Sequence, residues 1–259
     1  MTETTRRRRQ FVDTTDKTIL QYHIGMRPGD VGRYVLLPGD PGRVPLIASF
    51  LDDARQVAEN REHRTYTGMV DDVPVSVTST GIGGPSTAIA VEELAKIGAD
   101  TFIRVGTSGM MQDSVLPGHL VVVSAAVRDE GTALQYMPIA FPAVADLDVV
   151  DCLRQACETT GTTYHVGISH SKDSFYGEIE PDRMPMANML KERWQAWVKG
   201  GVLCSEMEAA ALFVLARTIG KRAGGLMVAG GTHDGLEPLC RTAVEGVRLL
   251  IRLDQNAGT

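Results

Sequence analysis

Short apolar runs that stop at glycine turns and then give way to helical patterns restrict this chain's fold more than any other feature. Tyr34–Leu37 runs into Pro38-Gly39-Asp40-Pro41-Gly42, and Val73–Thr78 runs into Gly81-Ile82-Gly83-Gly84-Pro85, behind which a helix is predicted over residues 86–97. Further strands are predicted at 101–105, 119–127, 165–169 and 225–229, a buried Ala/Leu/Met helix at 205–219 and a closing amphipathic helix at 239–253. The repeated order of strand, turn and helix specifies a mixed α/β sheet protein.

With 259 residues, 43% of them hydrophobic, the chain can bury a full core. A single domain over residues 21–259 is expected, behind a basic arm at 1–20. The arm carries Arg6-Arg7-Arg8-Arg9, but Val12-Asp13-Thr14-Thr15-Asp16-Lys17 follows where an export signal would place an apolar segment, so it reads as a solvated, disordered terminus. A net charge of -6 spread along the chain offers no basic face to a nucleic acid, and no run approaches the ~18 apolar residues of a membrane span. Cys152, Cys157, Cys204 and Cys240 lack metal-type spacing and read as buried thiols in a reducing cytoplasm. His165 and His170 share neither a helix face nor a strand face, which argues against a metal pair.

Three arginines stand out. Arg43 and Arg104 lie beside glycine turns that close apolar runs, where open α/β sheets present backbone N–H groups to anions, and Arg61 sits in Asn60-Arg61-Glu62. Arg104 interrupts an apolar strand, so its guanidinium needs an anionic partner. An oxyanion pocket is the expectation. The Gly81–Ser86 turn has the wrong glycine spacing for a dinucleotide fingerprint. Two proline-rich stretches, 136–142 and 178–185, are expected to be functional loops.

Taken in order, Leu37-Pro38-Gly39-Asp40-Pro41-Gly42-Arg43-Val44, Ser79-Thr80-Gly81-Ile82-Gly83-Gly84-Pro85-Ser86, Arg104-Val105-Gly106-Thr107-Ser108-Gly109, Phe141-Pro142-Ala143-Val144-Ala145-Asp146 and Ser205-Glu206-Met207-Glu208-Ala209-Ala210 resemble the nucleoside phosphorylase superfamily. The nearest likeness is to bacterial uridine phosphorylases, and it runs from about Tyr22 to about Arg252. The resemblance implies a three-layer α/β/α sandwich with a distorted mixed central sheet, built as dimers that associate into a hexamer. It implies no required cofactor, with inorganic phosphate as co-substrate. Phosphate is assigned to Gly39, Arg43, Arg104 and Thr107, joined by Arg61 across the dimer interface; bidentate guanidinium contacts suit that task. Ribose is assigned to Met207 and Glu208, supported by Glu206, with His23 of the partner subunit near the 5′ hydroxyl. A carboxylate fits there because ribosyl transfer passes through an oxocarbenium-like state, and its bond to a ribose hydroxyl strengthens as positive charge develops. Glu62, Ile82 and Ser86 fall where the family can hold potassium at the dimer interface.

The likeness breaks at the base. The Gln-x-Arg triplet that reads uracil in the best-known uridine phosphorylases would fall at Ile179 and Pro181, and the aspartate that protonates N7 in purine members would fall at Gly230 or Gly231, with Asp234 a few residues late. Lys172 offers a replacement, an ammonium that stabilises the departing pyrimidine anion. Phe175 would stack on the base, and Glu178 or the Tyr176 hydroxyl would accept its N–H. The expected activity is phosphorolysis of uridine to uracil and ribose 1-phosphate. The alternatives are a purine nucleoside phosphorylase using Asp234 or a water, and a non-catalytic nucleoside-binding or storage protein.

Overall fold

The computed structural model describes residues 19–231 and 235–257, so the arginine run Arg6–Arg9 and Asp234 lie outside the described residues. In chain order the elements are β1 (Tyr34–Leu37), α1 (Val44–Ala48), β2 (Asp52–Asn60), β3 (His63–Val70), β4 (Val73–Thr78), α2 (Gly84–Lys96), β5 (Thr101–Met110), β6 (Leu120–Asp129), β7 (Ala143–Val144), α3 (Leu147–Thr160), β8 (Tyr164–Lys172), α4 (Phe175–Ile179), α5 (Ala187–Lys199), β9 (Cys204–Glu206), α6 (Ala209–Thr218), β10 (Arg222–Ala229) and α7 (Leu236–Ala257).

One mixed sheet runs through the molecule. β2, β3, β4 and β1 lead to β5, and β5 pairs with β10, which continues through β6, β8 and β9 back to β5. β10 accompanies β5 from Thr101 to Ser108, so β1 and β9 must follow one another on the opposite edge. β1 takes Thr101–Arg104 and β9 takes Gly109 and Met110. Between them Val105–Ser108 have no strand on that side. This fork, where strand order changes, is where open sheets leave a crevice.

Helices cover both faces, giving the three layers expected. Within β1 the period of two is explicit: Val35 and Leu37 pack with α2 and α6, whereas Tyr34 and Leu36 pack with α1, α3 and α7. A strand buried on both faces reads as a continuous apolar run, which is why β1 falls where the sequence predicts it.

Four corrections carry physical reasons. The predicted helix over 205–219 begins only at Ala209, because Cys204–Glu206 is extended and paired to both β5 and β8. The segment 178–185 is not a plain loop: Glu178 ends the helical turn α4, and Pro181–Arg183 forms a 3-10 turn. The β2–β3 hairpin was not anticipated, since β2 is largely exposed and has no apolar alternation to announce it. Helices α3 and α5 were missed as well, and α5 has no fully buried residue.

The closing helix α7 is latched to the sheet by charge. Asp254 accepts both Arg222 terminal nitrogens (2.8 and 2.6 Å) and the Tyr34 hydroxyl at 2.6 Å. Burial pushes the Asp254 carboxyl up, but its bonds to Arg222 and Tyr34 outweigh that and hold it below the usual range. Burial and Asp254 together push the Tyr34 hydroxyl up to about 12. A carboxyl with a lowered pKa stabilises the fold above its unfolded pKa and loses that effect as pH falls through the folded value. Asp254→Ala is therefore expected to cost about 2–4 kcal/mol near neutral pH by urea denaturation. The gap to wild type is expected to shrink below pH ~4; a gap independent of pH would show that helix packing, and not charge, holds α7.

Candidate active site

Arg104 is the centre of the site. It leaves β5 opposite Leu37, the last residue of β1, and its side chain is only 8% exposed. Its Nε lies 3.3 Å from Glu206, and its Nη2 pairs with Glu208. The third nitrogen, Nη1, is buried with no partner among the described residues. It stands beside Gly39, where an added Cβ would lie 3.7 Å from it. Two carboxylates orient the guanidinium and leave one donor edge directed at the loop after β1, the arrangement an anion requires.

The two glutamates are held differently. Glu206 is fully buried and accepts the N–H groups of Glu208 and Ala209, both at 2.8 Å, which caps α6. Its other oxygen accepts the Ser171 hydroxyl and, at 3.4 Å, that of Ser169. Glu208 accepts the N–H of Gly83 at 2.7 Å and of Met207 at 3.2 Å. Burial raises the Glu208 pKa, Arg104 opposes this, and the neighbouring Glu206 charge adds to it. A carboxylate with a raised proton affinity is a good acceptor for a hydroxyl.

At the far end of the same cavity Lys172 ends β8, buried rather than on a loop surface. Its ammonium donates to the Ser205 hydroxyl at 2.6 Å and pairs with Glu178 at 2.8 Å, and the Ser205 hydroxyl in turn donates to Glu178. The Phe175 ring centre is 6.0 Å from the ammonium, and the ring itself is half-exposed.

These ends belong to one cavity of about 860 Å³, within the range of small-molecule sites. Gly39, Arg43, Thr107, Met207, Glu62 and Ile82 also line it. Arg43 Nη1 donates to the Thr107 hydroxyl at 3.4 Å. Gly81, at φ +73°, lets the loop after β4 pass Glu62 and Ser86, where a Cβ would come within 2.8 Å of each. Ser86 donates to Glu62 at 2.7 Å, and this bond chiefly holds the Glu62 carboxyl below its usual range.

Four predicted residues do not line the cavity, and one of them, Ser86, is tied to it through its bond to Glu62. Tyr176 packs edge-on to Phe175 and beneath Arg183, outside the cavity lining. His23 is paired with Glu93 at 2.7 Å, and Arg61 sits over the Tyr22 ring on the β2–β3 turn; neither lines the cavity of this chain. Sequence reasoning missed Ser171 and Ser205, whose only signal was alternation: Ser169 and Ser171 share a strand face toward Glu206. No group of three or more potential metal ligands occurs among the described residues, and all four cysteines are buried and free.

Removing Glu206 would leave the buried guanidinium with Glu208 as its one carboxylate partner and deprive two helix N–H groups of their acceptor. Glu206→Ala is expected to cost about 3–5 kcal/mol in chemical denaturation, against about 1–2 kcal/mol for Ser171→Ala. Equal losses would mean that Glu206 acts through the serine alone.

The profile of the Phosphorylase superfamily matches residues 33–247. The chain is 46% identical to a uridine phosphorylase of Treponema pallidum, covering 92% of this chain and 96% of that protein. It is 54% identical to a uridine phosphorylase of Thermococcus kodakarensis (79% and 75% covered) and 39% identical to a guanosine phosphorylase of Halorubrum lacusprofundi (92% and 98% covered). With a matching profile over most of its length and relatives this similar in sequence, the chain belongs to the phosphorylase superfamily.

Proposed function

We propose that the protein is a uridine phosphorylase, converting uridine and inorganic phosphate reversibly to uracil and ribose 1-phosphate in nucleoside salvage. The observation that carries this reading is the unpartnered Arg104 Nη1 at the glycine loop, within the same cavity as a carboxylate and a lysine. Phosphate is held by Arg43, Arg104 and Thr107 and by the backbone at Gly39. Its oxygen attacks C1′ while the bond to the base breaks, so no enzyme-bound intermediate is needed. Glu208 accepts from a ribose hydroxyl and Met207 packs against the sugar. Phosphate is already a nucleophile, so the protein's task is positioning and charge stabilisation. Lys172 offsets the negative charge that collects on the departing base.

His23 and Arg61 lie on the chain's outer surface and away from its own cavity, which supports a second copy supplying them and hence a homo-oligomer, a hexamer built from dimers in the family's manner. Glu62 and Ser86 offer only oxygen donors, a set suited to a hard cation such as potassium, which would offset the Glu62 charge at that interface. The four free thiols favour a reducing cytoplasm, and no described helix is long and apolar enough to cross a membrane. A purine nucleoside is the second reading, favoured by the guanosine phosphorylase among the relatives.

Incubation with uridine, with and without phosphate, tests the proposal through release of uracil. Phosphate-dependent release is expected, and Arg104→Ala is expected to abolish it. Phosphate-independent release would make the enzyme a hydrolase. Lys172→Met is expected to leave the KM for phosphate unchanged and lower kcat by the equivalent of about 2–4 kcal/mol; an unchanged kcat would remove Lys172 from the chemistry.

A further inference from the structure

Helix α5 joins the body of the molecule without a core of its own. None of its residues is fully buried, and a second cavity of about 410 Å³ lies against it, lined by Gly177 of α4, by Leu190, Trp194 and Trp197 of α5, and by Asp129 and His170 of the strands. A helix with so little buried apolar surface is located by a few polar ties more than by packing. At its C-terminal end the Gln112 amide donates to the carbonyls of Val198 and Val202, at 2.9 and 2.8 Å. In its middle the tie is Asp129.

Asp129 ends β6, opposite Lys172 in the ladder with β8. One carboxylate oxygen accepts from His170 Nε2 at 3.0 Å and the other from Arg193 on α5. A carboxylate can only accept, so the His170 hydrogen sits on Nε2. His170 Nδ1 has no partner among the described residues, and the side chain, only 6% exposed, lies with its ring centre 6.2 Å from those of Trp194 and Trp197. Asp129 therefore orients the ring on which both indoles rest. One carboxylate joins two strands to α5.

The same helix locates a wall of the substrate cavity. Lys172 and Glu178 line both cavities, so their ion pair is a partition common to the two. Glu178, Phe175 and Ile179 belong to α4, which packs on α5: a Cβ added at Gly177 would lie 3.7 Å from Leu190. We infer that Asp129 is a positioning residue, one that seats α5 through Arg193 and His170, and through α5 seats α4, so that it sets the affinity for the nucleoside while standing outside the substrate cavity. The inference rests on the phosphorolytic reading above. Its reach is selective. Lys172 belongs to β8 and keeps its place when α5 loosens, which spares the chemical step. Arg43, Arg104 and Thr107 belong to β5 and the turn after β1, which spares phosphate binding.

The chain has two tryptophans, and both lie on α5 beside His170, so tryptophan emission reports this seating alone. The test compares the full-length enzyme with Arg193→Met and Asp129→Asn, uridine and phosphate each being varied at saturation of the other. Arg193 is 43% exposed, so its replacement buries no unpaired charge and keeps the fold. Arg193→Met cuts a pair partly screened by solvent and is expected to raise the uridine KM about threefold. Asp129→Asn weakens the His170 bond as well and is expected to raise it at least about fivefold. Both kcat and the phosphate KM are expected to stay within about twofold of wild type. The double variant is expected to be no worse than Asp129→Asn alone, because both substitutions break one tie. Tryptophan emission is expected to move to longer wavelength in each variant and to return toward the wild-type value with saturating uracil and phosphate, since coupling between seating and base binding is reciprocal. An unchanged uridine KM in either folded variant, an equal rise in the phosphate KM, or an emission shift that uracil fails to reverse would overturn the inference while leaving phosphorolysis standing. No uracil release by the wild-type enzyme would instead overturn the phosphorolytic reading itself.

Discussion

A buried guanidinium between two buried carboxylates sets the terms for the rest of the molecule. Arg104 cannot be desolvated alone, and Glu206 and Glu208 cannot both be desolvated without it. The chain meets both needs with backbone: Glu206 is bonded by the first N–H groups of α6, and Glu208 by the turn that opens α2. Two helices on the same face of the sheet therefore have their N-terminal ends anchored to one charge cluster. The placement of α2 and α6, and with them one of the two apolar layers, follows from where this arginine leaves β5.

The cluster sits at the fork for a structural reason. Along Val105–Ser108 one edge of β5 is free of any strand, so backbone and side chains there must find partners outside the sheet. Loops after β1 and β4 supply one bank of the crevice, and β8, α4 and β9 supply the other. Charge alternates across it: Arg43 and Arg104 on one side, Glu206 and Glu208 in the middle, and the Lys172–Glu178 pair beyond. A substrate that is anionic at one end, neutral and hydroxylated in the centre, and planar at the other matches that order.

Much of this was legible in the sequence, for identifiable reasons. β1 announces itself because a strand buried on both faces reads as an unbroken apolar run, and Arg104 was conspicuous because it interrupts such a run in β5. Glycines at the turns marked the end of the cavity lined by Arg43 and Arg104. The hairpin of β2 and β3 stayed hidden because its outer strand is largely exposed and shows no regular apolar alternation. Ser171 and Ser205 stayed hidden because a serine carries no signal until its partner is known, and those partners, Glu206 and Glu178, lie 35 and 27 residues away in the chain. Lys172 and Glu178 were each singled out for the base, but their bond to one another depends on α4 turning back toward β8, which no local pattern encodes. His23 and Arg61 were assigned to a neighbouring copy's site, and in this chain they lie on turns, before β1 and between β2 and β3, outside the lining of its own cavity.

The return of β9 to β5 turns half of the sheet into a closed ring of β5, β10, β6, β8 and β9. A ring removes free edges, and with them the template on which foreign strands aggregate. It also has a seam. β5 and β9 are joined through only two residue pairs, Gly109 with Ser205 and Met110 with Cys204, the shortest ladder in the circuit. Ser205 is at once a stitch in that seam and the hydroxyl between Lys172 and Glu178. Opening of that seam therefore also loosens the Lys172–Ser205–Glu178 contacts, so the closure of the ring and the geometry at that end of the cavity depend on the same few hydrogen bonds.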